Sequence, residues 1–220
     1  MIRVRHAARP PKGATISGQA AVEQGFSLLE FMLSSLILLI ISAAIFSLLS
    51  QTQRTGSYQT EVQGVLENTR FAMDAIVRVL QQAGNSVSGS SGSGIDIKSA
   101  TEVRVRSDLT GSGSNWSPSE PDKGEPDGDT SDAGEDVTIR YNAGARTIEL
   151  GATTSPQPIA YNISAFSMQY YDDSGFITNI GGNIYKVRVS LTGTSSYPDP
   201  QTGKVFSMQI SSDVTLLPRR

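Results

Sequence analysis

Apolar residues fill one stretch of the chain almost without interruption. Residues 26–49 read FSLLEFMLSSLILLIISAAIFSLL, 24 residues with a single charge, Glu30. A helix of that length rises about 36 Å, enough to cross a bilayer. The pattern then changes. Val62, Leu66, Thr69, Met73, Ile76 and Leu80 recur at alternating four- and three-residue steps, and Val65, Ala72, Val79 and Ala83 widen the stripe. That periodicity predicts an amphipathic helix over 50–84 with one face on a core. Glu67, Arg70, Asp74 and Arg78 fall largely outside the stripe, and Gly84-Asn85 is a stop signal. No proline lies between Pro11 and Pro118, so the two segments are expected to form one helix from Phe26 to Ala83. Gly56 and Gly64 weaken it locally, each by about 1 kcal/mol relative to Ala.

Beyond the helix the period shortens to two. Residues 86–94, SVSGSSGSG, have the composition of a flexible linker. Apolar and polar residues alternate over 95–97, 102–106, 137–141 and 147–150, the last two joined by Asn142-Ala143-Gly144-Ala145-Arg146 as a hairpin. Further strands are expected over 165–171, 184–191 and 205–217. The expected class is α+β: a long N-terminal helix, its first half transmembrane, packed on an antiparallel sheet with one face on the helix.

Charge and composition narrow the function. The net charge is −3, split unevenly: Arg3, Arg5, Arg9 and Lys12 against Glu23 give residues 1–25 a net +3, leaving −6 for the rest. A basic N-terminus ahead of an apolar span keeps that end in the cytoplasm. No basic patch suited to nucleic acid is visible. The chain has no Cys, and its one His is His6. A product lacking residues 1–25 would therefore contain no Cys nucleophile, no His base and no His/Cys metal site. With no phosphate-binding glycine motif either, an enzyme is not expected.

An ordinary secretory signal is cut after its apolar run, but Gln51-Thr52-Gln53-Arg54 offers no small-x-small site there. Glu30 is the distinctive residue. A carboxylate within an apolar span costs about 2–3 kcal/mol on insertion scales, less near the end of the helix. Its neighbours are Leu, Phe, Met and Ser, so a partner from another molecule is the natural inference.

The segment Gly25-Phe26-Ser27-Leu28-Leu29-Glu30 resembles the type IV prepilin signature: Gly before the cut, Phe as the new N-terminus, Glu fifth in the mature chain, and an apolar run directly after. The resemblance implies a leader over 1–25, cleavage between Gly25 and Phe26 by a membrane prepilin peptidase, and N-methylation of Phe26. It also implies that Glu30 serves assembly by neutralising the Phe26 amine of a neighbouring subunit. The expected organisation is leader 1–25, transmembrane and assembly helix 26–49, amphipathic helix 50–84, and a periplasmic β head over 85–220 with an acidic loop at 107–135. The 25-residue leader carrying Pro10-Pro11 departs from the shorter leaders common in the family.

In the head, the run from Ile159 to Asp172 followed by Gly175, the hairpin Val137–Leu150 and Val187-Arg188-Val189-Ser190-Leu191 are similar to minor pilins of the W type and to J-type minor pseudopilins. The resemblance implies a minor type IV pilin that primes or caps a pilus. The alternative is a minor pseudopilin of a type II secretion system. Implied partners are other pilins or pseudopilins, the prepilin peptidase, the assembly platform and, before assembly, inner-membrane lipid.

One candidate metal site remains. Glu125, Asp127, Asp129 and Asp136 stand at spacings that suit Ca2+. Counted from Glu125, however, the sixth position is Thr130 where an EF-hand turns on Gly, and the last ligand is Asp rather than Glu. A solvated acidic loop without a metal is the preferred reading, and no other cofactor is expected. Trp116, the single Trp, precedes this loop.

Overall fold

The computed structural model describes residues 27–85, 94–109, 130 and 132–216. The chain divides into two compact units, residues 1–49 and 50–220. One helix, α1 (Leu28–Gln82), contributes to both. Gly56 and Gly64 lie within it without breaking it. It starts two residues later and ends one earlier than the sequence pattern suggested.

In the first unit every described residue from Leu28 to Leu49 is exposed, including Leu28, Leu29, Phe31, Leu39 and Phe46. The helix is apolar on all sides here and packs on no other described residue of its unit.

In the second unit the helix becomes one-sided. Val65, Thr69, Ala72, Met73, Ile76 and Leu80 are buried, while Glu67, Arg70, Asp74 and Arg78 are exposed. Ile76 and Leu80 are fully enclosed, each worth about 1.5–3 kcal/mol of apolar burial. Val62, Leu66 and Val79, counted in the same stripe, are only half-buried.

The stop falls at Gly84, whose φ of 73° ends the helix in the left-handed region that glycine tolerates. Its N–H turns to the Arg106 carbonyl at 2.8 Å, and the Asp108 N–H reaches the Asn85 carbonyl at 2.9 Å. The end of α1 is thus stitched to the strand beside it.

The strands form two antiparallel sheets, where the sequence suggested one. Strands β1 (Ile95–Ser99), β2 (Glu102–Arg106), β3 (Asp136–Asn142), β4 (Thr147–Ala152) and β5 (Gln157–Ala160) make a five-stranded sheet in chain order. Strands β6 (Ile163–Tyr171), β7 (Lys186–Thr194) and β8 (Ser207–Thr215) make a three-stranded one. A short 3-10 turn, Gly181–Asn183, precedes β7.

The division falls at Asn162, whose φ of 57° turns the chain between β5 and β6. Its side-chain amide donates to Ser196 Oγ at 2.9 Å, and its carbonyl accepts the Thr194 N–H at 2.9 Å. The Ile159–Tyr171 run is therefore a strand, a corner and a second strand. β5 was not among the expected strands; it is a four-residue edge strand containing Pro158, a residue confined to sheet edges.

Both sheets share one core with the helix. Ala72, Met73, Ile76, Leu80 and Ala83 cluster with Ile95, Val103 and Val105 of the first sheet and Phe166, Val187, Val189 and Leu191 of the second. The closest approach is at Gly193 on β7. A Cβ there would overlap the Thr69 hydroxyl and stand 3.1 Å from Val65 Cγ1. Thr69 satisfies its own buried hydroxyl on the Val65 carbonyl at 2.6 Å.

That contact gives a test. Gly193→Ala is expected to lower stability by about 1–3 kcal/mol, the range for overpacking, read as a drop in the urea midpoint of the detergent-solubilised chain. Adding Thr69→Ala should recover part of the loss. A Gly193→Ala protein as stable as the parent would refute the close approach.

Candidate membrane and assembly site

Ser27 opens α1. Its Oγ accepts the Leu29 N–H at 3.3 Å and its carbonyl accepts the Phe31 N–H at 3.1 Å, the two bonds of an N-cap residue. Glu30 then sits in the first turn, at the third helical position. Ser27-Leu28-Leu29-Glu30 thus has the sequence of a capping box, a local signal present in the sequence independent of any charge partner for Glu30. A carboxylate there also meets the positive end of the helix dipole. Among the described residues no ion pair or side-chain hydrogen bond reaches it, and it is exposed. Gly25 and Phe26, the expected cleavage and methylation residues, lie outside the described residues, as do the basic residues Arg3, Arg5, Arg9 and Lys12.

α1 holds a window long and apolar enough to cross a membrane, near the N-terminus and wholly unburied within the molecule. Glu30 is the one charge between Ser27 and Leu49.

Of the candidate Ca2+ ligands, Glu125, Asp127 and Asp129 lie outside the described residues, as do Trp116 and residues 86–93 of the linker. Asp136 is the first residue of β3 and its carboxylate is engaged by neighbouring side chains. Arg104 on β2 grips it through Nε at 2.5 Å to Oδ1 and through Nη2 to Oδ2, and Thr153 donates to it at 3.0 Å. Those contacts, the Arg104 hydrogen bonds foremost, hold the Asp136 carboxyl below the usual range against an opposing desolvation. Among the described residues no group of three His, Cys, Asp or Glu side chains could hold a metal ion.

The base of the acidic loop differs from a fully solvated segment. Ser107, Asp108 and Glu135 are buried. The Glu135 carboxylate accepts the Leu109 N–H at 2.8 Å and the Asp132 N–H at 3.2 Å, and its carbonyl accepts the Ser107 N–H at 2.9 Å. Both ends of the loop are tied by this one residue. Composition grouped Glu135 with the solvated acids around it, and no local signal marked it as buried.

Comparison with family models and with curated proteins finds no match for the chain.

The Arg104–Asp136 pair sets a pH dependence. Its folded-state pKa is depressed, so its contribution to stability is complete above the unfolded value of about 4 and is lost as pH falls through the folded value. Asp136→Asn should cost about 1–2 kcal/mol at neutral pH and flatten the fall in stability below about pH 4. Denaturant titrations of the two proteins at neutral and acidic pH measure it. An unchanged slope would show that the pair carries no linkage.

Proposed function

We propose that the chain is a minor pilin-like subunit, cut between Gly25 and Phe26 and assembled through its N-terminal helix into a pilus that it primes or caps. The observation that carries this reading is an exposed carboxylate, Glu30, in the first turn of a span otherwise apolar on every side. A solvated globular domain has no use for such a span, and a plain anchor has no use for the carboxylate beyond capping. A neighbour's Phe26 ammonium would neutralise it in a low dielectric and set the axial register between subunits.

The α+β arrangement supports the same reading: a helix continuing from an apolar span into a stripe packed on antiparallel strands is the layout of pilin-like subunits. In this proposal the basic residues ahead of Phe26 hold the N-terminus in the cytoplasm, residues 28–49 occupy the inner membrane before assembly, and the strands form a periplasmic head. The head's role is to contact neighbouring subunits, and no catalysis is assigned to it.

Two measurements test the reading. The mature protein recovered from cells should begin at Phe26, with the added mass of one methyl group; recovery with residues 1–25 attached, or cut beyond Leu49, would end it. Glu30→Ala should be cleaved normally and reach the membrane but be lost from sheared filaments. Incorporation equal to the parent would remove the proposed role of Glu30.

A further inference from the structure

Within the unit of residues 50–220, two stretches of α1 are held in different ways. From Val65 onward the helix is seated in the core. Thr69, Ala72, Ile76 and Leu80 are fully buried, and Asn68 Nδ2 donates to the Tyr161 carbonyl at 2.7 Å. From Ser50 to Gly64 no residue is buried and none joins the core cluster.

The sequence of this outer stretch favours helix poorly. SQTQRTGSYQTEVQG contains two Gly, two Ser and three Thr, residues that lose backbone entropy in a helix or compete for its backbone bonds. Thr60 does compete: its Oγ1 donates to the Gly56 carbonyl at 3.1 Å. Neither glycine is required by space or by conformation. A Cβ on Gly56 or Gly64 would meet no atom within 4 Å, and neither residue lies in the left-handed region. Alanine fits at both positions and would favour the helix about fivefold at each. The stretch is weaker than its packing demands.

What it meets is the β7–β8 loop, residues 195–206. The Ser196 N–H donates to Glu61 Oε1 at 2.8 Å. The Tyr197 hydroxyl donates to the Ser57 carbonyl at 3.1 Å. The Tyr197 ring leans on that of Tyr58, with centroids 6.2 Å apart and planes at 59°, the tilted arrangement aromatic pairs favour. All three contacts fall between Gly56 and Gly64.

The loop is braced by its own bonds. At its base the Ser195 N–H reaches the Phe206 carbonyl at 2.9 Å, and Ser195 Oγ accepts the Phe206 N–H at 3.0 Å. Ser195 Oγ also donates to the Tyr197 carbonyl at 2.8 Å, and the Asn162 amide donates to Ser196 Oγ at 2.9 Å. At the tip Asp199 accepts the Gln201 N–H on Oδ1 at 2.9 Å and the Gly203 N–H on its carbonyl at 2.8 Å. Releasing α1 breaks none of these bonds, so the loop retains its shape. The helix, by contrast, loses its support between two glycines.

We propose that the β7–β8 loop is a strap, and that residues 56–64 of α1 are a link whose helical state depends on it. Seated, Ser196 and Tyr197 hold α1 continuous from Ser50 into the core-facing stretch. Unseated, the link opens as a local unit while the helix from Val65 and both sheets retain their structure. The link spans about 13.5 Å as helix and up to about 30 Å extended. The strap therefore sets whether Ser50 is joined to the core-facing stretch by a stiff rod or by a slack tether. The device lies wholly within residues 50–220 and needs neither cleavage at Gly25 nor a filament, so its failure and the failure of the pilin reading are separate results.

Hydrogen exchange on the full chain in detergent micelles tests the proposal. In the parent, the amides of Thr60 to Gly64 should exchange faster than those of Ala72 to Leu80. In Tyr197→Ala they should exchange about tenfold faster still, with Ala72–Leu80 and Val187–Leu191 unchanged. Tyr197→Phe, which retains the ring and drops the hydroxyl, should give about a threefold increase. Adding Gly56→Ala to Tyr197→Ala should slow the same amides again by about fivefold.

Unchanged exchange at Thr60–Gly64 in both Tyr197 variants overturns the strap. Equal acceleration at Val187–Leu191 also overturns it, because Tyr197 would then support the fold as a whole. Failure of Gly56→Ala to slow the amides overturns the weak link.

Discussion

A helix apolar on every side cannot stand bare in water, and the chain is organised around that constraint. Fifteen large apolar side chains between Leu28 and Leu49 are exposed in the isolated molecule. At about 1.5–3 kcal/mol for each side chain fully buried, their transfer from water is worth tens of kcal/mol. A whole domain is stable by only about 5–15 kcal/mol. No described residue of the chain supplies that covering; lipid tails or other helices are surfaces that could. The two are alternatives for the same surface, so in the proposed reading a subunit would leave one for the other at a small net difference.

Past residue 50 the constraint relaxes by degrees. The same helix carries charges on its outer face and keeps a stripe from Val65 to Leu80 for the sheets. What it gains there is fit as well as area. Gly193 admits Thr69 to the backbone of β7, and Gly84 turns the chain so that its N–H meets the Arg106 carbonyl. The first half of the helix needs only to be apolar, whereas the second must match two sheets residue by residue.

That contrast explains what could be read in advance. The helix, its stop at Gly84 and the β3–β4 hairpin were legible because each rests on local chemistry: a period, a left-handed glycine, a polar turn. The splitting of the strands into two sheets was not, because it depends on Asn162 adopting a left-handed conformation that its contacts with Thr194 and Ser196 hold in place. Those partners lie more than thirty residues away. Glu135 is a similar case. An acid among acids gives no hint of burial, and its role at the base of the loop appears only once Leu109 and Asp132 are brought to it. Asp136 stood out by its spacing from other acids, and its partner Arg104 comes beside it only through the pairing of β2 with β3. For the candidate assembly site, the motif around Glu30 was plain in the sequence, while the capping role of Ser27 was written there as Ser-x-x-Glu and went unread.

The two roles open to Glu30 differ in magnitude, and the difference favours one. A carboxylate in the first turn of an exposed helix is worth about 0.3–1 kcal/mol through the helix dipole. Placed in an apolar surround, the same group costs about 2–3 kcal/mol. Capping therefore accounts for the charge while the helix end sits at the wet edge of a membrane, where that cost is small. It falls short once the end is enclosed by other helices and the cost is fully felt. The shortfall, on the order of 1–2 kcal/mol, is within what one paired ammonium in a low dielectric supplies. Under the proposed assembly reading, an isolated chain could thus carry Glu30 without a partner, whereas an enclosed one would need a neighbour's free amine.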